Sequence, residues 1–138
     1  MIQYKRVIST LIYSYVLFSA TVSEAKVDNK ALISKPSVGM ATYYSDKFHG
    51  RPTASGEIYN KHQLTAVHPT LPFGSILKVT NLRNHLSVNV RVNDRGSFYK
   101  KRGNKHLLDL SKQAANKLQF VGKGWAKVEI KLLQRGQS

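Results

Sequence analysis

Six carboxylates follow Ala25 in this chain of 138 residues: Asp28, Asp46, Glu57, Asp94, Asp109 and Glu129. With so few acids, each can be weighed by its surroundings. Glu57 closes Thr53-Ala54-Ser55-Gly56-Glu57 inside a long polar segment, and Asp94 ends an alternating run before Arg95-Gly96. Long loops and strand ends are where binding and catalytic residues gather. Two carboxylates so placed could do general acid–base work, given a pKa near the working pH. Plainer roles stay open. Asp94 could be a turn residue bonding its own backbone, and Glu57 a surface charge. Asp109, inside Leu107-Leu108-Asp109-Leu110-Ser111, reads as a structural acid, partly buried and hydrogen-bonded. Asp28 and Glu129 read as solvent-facing, and Asp46 as either.

Other chemistries find less support. Histidines stand at positions 49, 62, 68, 85 and 106, with no His-x-His or His-Glu-x-x-His among them. No metal site and no cofactor are therefore expected. A Ser-His-Asp set is possible by residue count, but no Gly-x-Ser-x-Gly elbow accompanies it.

Several short elements must position these residues. Gly39–Tyr44 is a β-prone run, followed by a polar, Gly-rich segment over 45–60. A loop of that length is commonly functional. Gln63–His68 fits a short strand or a helical turn. Ser75–Leu82 reads as a strand, Arg83-Asn84-His85 as a turn and Leu86–Asn93 as the return strand. Val88, Val90 and Val92 take one face there, with Asn89, Arg91 and Asn93 on the other, which is a period of two. Tyr99–His106 reads as a basic loop and Leu107–Leu110 as a short apolar run. Ser111 is a good N-cap for a helix over 112–118, which Gly122 and Gly124 are expected to end. Trp125–Leu132 alternates again as a final strand. The sum is mostly β, in the manner of a small barrel.

Lys5 and Arg6 precede an apolar run over 7–18, and Ser23 and Ala25 are small residues two apart. That order predicts a cleavable signal peptide over 1–25. The run is too short to span a bilayer, so no stable membrane anchor is expected after cleavage. Residues 26–38 read as a mobile lead-in, 39–133 as one domain and 134–138 as a frayed tail. Cys is absent, so no disulfide supports the domain and no lipid can attach through an N-terminal cysteine. Lys and Arg total 22 against 7 acids, a net charge of +15. Such a surface favours polyanions: nucleic acid, anionic lipid or an anionic wall polymer. Export argues against nucleic acid, and the expected oligomeric state is a monomer.

A series of motifs makes the reading specific. Gly39-x-Ala41-x-Tyr43-Tyr44, then Phe48-His49-Gly50-Arg51-x-Thr53-Ala54-Ser55-Gly56-Glu57, resembles the opening of the rare lipoprotein A (RlpA) family. Leu64-Thr65-Ala66-x-His68-x-x-Leu71-Pro72-Phe73-Gly74 continues the resemblance. Val79-Thr80-Asn81-Leu82, Val90-Arg91-Val92-Asn93-Asp94-Arg95-Gly96 and Leu108-Asp109-Leu110-Ser111 complete it, in family order. The resemblance implies a six-stranded double-psi β-barrel with one or two short helices. It implies cleavage of peptidoglycan glycan strands between N-acetylmuramic acid and N-acetylglucosamine, leaving 1,6-anhydromuramyl ends in the periplasm or cell envelope. The family's Glu, His and Asp fall on Glu57, His68 and Asp94. Asp94 is the favoured general acid, with Glu57 the alternative. Tyr44, Phe48 and Arg95 are candidate substrate-binding residues. Arg95 could instead hold its turn, and Tyr44, Phe48 and Trp125 could instead serve the core. Two departures follow: the cysteine used for lipid attachment is missing, and the sequence ends just after the barrel without a glycan-binding repeat domain. A hydrolase using two carboxylates and a non-catalytic, expansin-like wall-binding module remain the alternatives, because one fold can host many functions.

Overall fold

The structure, a computed structural model, describes residues 35–96 and 105–137. The expected signal peptide, most of the lead-in and most of the basic loop before His106 lie outside the described residues. Six strands follow in order: β1 (Ser37–Tyr43), β2 (Thr65–Val67), β3 (Ile76–Asn81), β4 (Ser87–Asp94), β5 (His106–Leu110) and β6 (Ala126–Gln134). A short helix, α1 (Lys112–Lys117), lies between β5 and β6, and a 3-10 turn spans Asp46–Phe48.

The strands close into a barrel in the order β1-β5-β2-β4-β3-β6. Two of the contacts are parallel, β1 with β5 and β2 with β4. The other four are antiparallel. Closure gives every described strand a neighbour on both sides, which limits the edge available for edge-to-edge aggregation. The period of two in β4 decides its orientation: Val88, Val90 and Val92 are buried. They pack with Leu77 and Val79 of β3, Leu108 and Leu110 of β5, and Val128 and Ile130 of β6. This core must hold the domain by packing alone, since the chain has no cysteine.

Ser111 caps α1 as its position predicts, its side chain accepting from Ala114 N at 3.3 Å. The helix stops at Lys117, well before the two glycines expected to end it. Gln119 instead adopts a left-handed backbone, φ 58°, and Phe120 N donates to Ala115 O at 3.2 Å. This closure drops Phe120 into the core, where its ring meets Tyr43 edge-on at 5.9 Å. A Gly is the usual residue at such a position, so a Gln there carries no sequence signal.

Close approach explains one glycine. A Cβ on Gly39 would lie 2.3 Å from Lys105 O and 2.7 Å from Leu107 Cγ. Lys105 O also accepts from Met40 N, so it cannot move without loosening the β1–β5 seam. Gly39→Ala is therefore expected to cost about 1–3 kcal/mol in urea unfolding. Gly122→Ala, with nothing within 4 Å of its Cβ, should stay within about 0.5 kcal/mol. Equal unfolding midpoints for the two variants would contradict this account.

The register gathers the site. Val67 pairs with Asp94 on one side and Asp109 on the other, and Asp109 pairs with Thr42. One row of residues thus crosses four neighbouring strands at a single rim of the barrel.

Candidate active site

Asp94 ends the β4 stripe at that rim, where three groups converge on it. Ala54 N and Arg95 N each donate to Oδ1 at 2.8 Å. The Tyr44 hydroxyl donates to Oδ2. Burial, and then this bond to Asp94, push the Tyr44 phenol far above its usual range, so it stays protonated. The Tyr44 ring packs against Phe48 and Tyr59, at centroid distances of 5.5 and 4.6 Å.

Glu57 reaches the same strand from the long loop. Its carboxylate takes a bidentate pair from Arg91, at 2.5 and 2.9 Å, and a third bond from Asn93 Nδ2 at 3.2 Å. The Arg91 guanidinium beside it holds the Glu57 carboxyl below the ordinary carboxylate range. The loop itself is tied down at several points. Thr53 N donates to Glu57 O at 2.7 Å, and Ser55 N to Asn93 O at 3.3 Å. Further back, Asp46 receives Lys112 Nζ at 2.5 Å, which fastens the loop's start to α1. Asp46 therefore serves the scaffold.

His68 follows β2 and joins Asp94 through the backbone, His68 N donating to Asp94 O at 3.2 Å. Its Nδ1 accepts from Leu71 N at 3.0 Å and Thr70 N at 3.2 Å. An acceptor Nδ1 places the proton of the neutral ring on Nε2. Burial first, then the Arg95 and Lys105 cations, lower the imidazole from 6.5 to about 4. The sign of the linkage follows. Between about pH 6.5 and pH 4 the unfolded chain binds this proton and the folded chain does not, so stability falls as the pH drops through that window. Allowing for solvent around a half-buried ring, the loss is about 1–2 kcal/mol. His68→Asn keeps an acceptor at the Nδ1 position and cannot titrate. Urea midpoints at pH 7 and pH 4.5 should show a smaller acid loss in the variant. An identical loss would remove His68 as the cause.

Arg95 turns back on its own strand end: its Nη1 donates to His68 O at 2.8 Å, and its guanidinium lies 4.2 Å from the Phe73 ring centroid. These contacts fit the turn-holding alternative. Phe48 is half-buried, with Arg51 and Lys47 near its ring. Trp125 is 40% exposed just ahead of β6, so it does not serve the core. A cleft of about 430 Å³ opens beside His68, walled by Leu71, Lys105, His106 and Arg135. Glu57 and Asp94 stand outside it, on the exposed rim.

The structure thus brings Glu57, His68, Asp94 and Tyr44 to one end of the barrel. Three contributors were not singled out by their sequence signal: Arg91 and Asn93, which hold Glu57, and Tyr59, which backs Tyr44. Arg91 and Asn93 were visible as the polar face of the alternating strand, but nothing local reveals that Glu57 covers them. Asp109 carries a second cluster, accepting from Thr42 Oγ1 and lying 3.0 Å from His106 Nε2. Among the described residues no group of three or more His, Cys, Asp or Glu could hold a metal ion.

Residues 36–130 match the family described as lytic transglycolase. The chain is similar to the endolytic peptidoglycan transglycosylase RlpA of Campylobacter jejuni, with 47% identity over 100 residues, covering 72% of this chain and 35% of that protein. It is 50% identical over 100 residues to the protein of the same name from Neisseria meningitidis serogroup B, covering 72% and 40%. The chain spans well under half the length of these curated relatives. Among solved structures it is similar to a Streptomyces papain inhibitor, with a TM-score of 0.58 and 25% identity, covering 74% of this chain and 97% of that one. An expansin from Clavibacter michiganensis matches with a TM-score of 0.55 and 20% identity, covering 75% and 52%, and shows the fold alone.

Proposed function

The chain belongs to the RlpA-type lytic transglycolase family, with its double-psi β-barrel, and from that premise we propose that it cleaves peptidoglycan glycan strands without water. Asp94 protonates the glycosidic oxygen between N-acetylmuramic acid and N-acetylglucosamine. The C–O bond breaks, and positive charge develops on the muramyl ring. The muramyl 6-hydroxyl then attacks its own anomeric carbon. Asp94 takes the hydroxyl proton, and a 1,6-anhydro end results with the acid regenerated.

The observation that carries this reading is the contrast between two neighbouring carboxylates. Glu57 is locked by Arg91 as an anion, which suits it to oppose oxocarbenium charge. Asp94 keeps Oδ1 as an acceptor of two backbone N–H groups. Oδ2 is then the oxygen to carry a transferable proton, with the Tyr44 hydroxyl turning to accept it. Neutral His68 is a donor through Nε2 toward sugar oxygens. Tyr44 and Phe48 supply ring surface for the substrate. Arg95 positions His68.

Export to the envelope places a basic monomer beside an anionic wall polymer. No helix among the described residues is long and apolar enough to cross a membrane. Digestion of peptide-free peptidoglycan followed by mass analysis tests the reaction. Fragments lighter by one water than hydrolysis products are expected. Reducing ends would make the chain a hydrolase, and binding without soluble fragments would make it a wall-binding module.

A further inference from the structure

The chain has a single tryptophan, Trp125, and it stands just ahead of β6, away from the residues that contact Asp94 and Glu57. Strand β4 has eight residues, Ser87 to Asp94. Beside Ser87 is the end of β3, and next to that are Leu82, bonded to Lys127 O at 3.0 Å, and the start of β6. Trp125 opens that start and is 40% exposed.

A cleft of about 520 Å³ lies here, walled by Arg83, Asn84, Gln119, Lys123, Trp125 and Lys127. Its floor is built in advance. Asn81 Nδ2 and Asn84 Nδ2 both donate to Leu118 O, at 2.9 and 3.1 Å. The two non-glycine residues with positive φ among those described, His85 at 61° and Gln119 at 58°, both sit at this rim. No carboxylate lines the cleft among the described residues, and three cations do. Lys123 Nζ lies 3.9 Å from the Trp125 ring centroid. An exposed indole among cations and an amide suits a ring with an apolar face, polar substituents and negative charge.

We propose that this cleft is a second glycan site. Trp125 takes the face of an amino sugar, while Arg83, Lys123 and Lys127 pair with the carboxylates of the same anionic strand. The site holds the wall polymer without cutting it and leaves the catalytic rim free. The identity of the polymer rests on the glycan-cleaving reading above.

Because Trp125 is the one tryptophan, its emission reports this cleft and no other. The probe is peptide-free glycan strands, titrated into the full chain carrying Asp94→Asn so that the probe persists. A saturable emission change is expected. In that background, Trp125→Ala should pellet with insoluble peptide-free peptidoglycan roughly 5- to 10-fold more weakly, and Trp125→Phe should recover most of the loss. Trp125→Ala alone should still cleave short soluble strands at the unmodified rate. Emission that stays flat where pelleting is half-maximal overturns the second site, even if cleavage is robust. An equal response to single-stranded DNA overturns it too, in favour of a general polyanion platform. Failure of the catalytic reading looks different: no fragments are released by the unmodified chain, yet the emission response survives.

Discussion

Asp94→Asn is expected to lower turnover on peptide-free glycan strands by about 10²- to 10⁴-fold, the contribution of a positioned acid–base group. The substitution is chosen for what it leaves intact. The Asn carbonyl can keep accepting from Ala54 N and Arg95 N, and its amide can donate to a reoriented Tyr44 hydroxyl. The loop over 53–57 therefore stays docked, and the unfolding temperature should move by only a few degrees. What disappears is the transferable proton. Asp94→Ala would be less informative, since it strands two backbone donors at a partly buried rim at about 1–3 kcal/mol each. Assaying anhydro-ended products under single-turnover conditions checks the effect. More than a tenth of the original rate in a folded Asp94→Asn protein would remove Asp94 from the acid's role.

Glu57→Gln should cost about 10²- to 10³-fold, chiefly in kcat, because the lost negative charge opposes positive charge that exists only in the transition state. Arg91 would keep one hydrogen bond to the new amide and lose its ionic partner. Arg91 itself offers an independent arm. Its guanidinium is the largest cause holding the Glu57 carboxyl below the ordinary range. Removing it in Arg91→Gln lets that pKa rise. Since the anion is the working form, the acid limb of the pH–activity profile should move to higher pH. A limb that stays in place, with Glu57→Gln near full activity, would leave Glu57 as a loop fastener only.

Much of the barrel was legible because its signals are local. The alternation of Val88, Val90 and Val92 describes a buried face wherever that strand ends up. Ser111 caps α1 because an N-cap acts within one turn. The end of α1 was not legible: Gln119 takes a conformation that glycine usually supplies, and the reward is tertiary, Phe120 entering the core. For Trp125 the sequence left a core role open, and the structure leaves the ring 40% exposed. An alternating run predicts which residues share a face, but Trp125 lies just ahead of β6, which begins at the buried Ala126.

The sequence by itself determined the residue types of the site and, through motifs in register, the family. It placed Glu57 at a loop end and Asp94 at a strand end, with His68 between them. Only the tertiary structure decided what those groups are to one another. A parallel contact with β4 and an antiparallel one with β5, both strands far along the chain, hold β2 between them. That puts His68 beside Asp94 and drapes the 53–57 loop over Arg91 and Asn93. The protonation of a carboxylate depends on charges and donors within a few ångströms. Apart from the adjacent Arg95 N, those neighbours lie 34 to 50 positions away along the chain, a relation that spacing cannot express and barrel closure does.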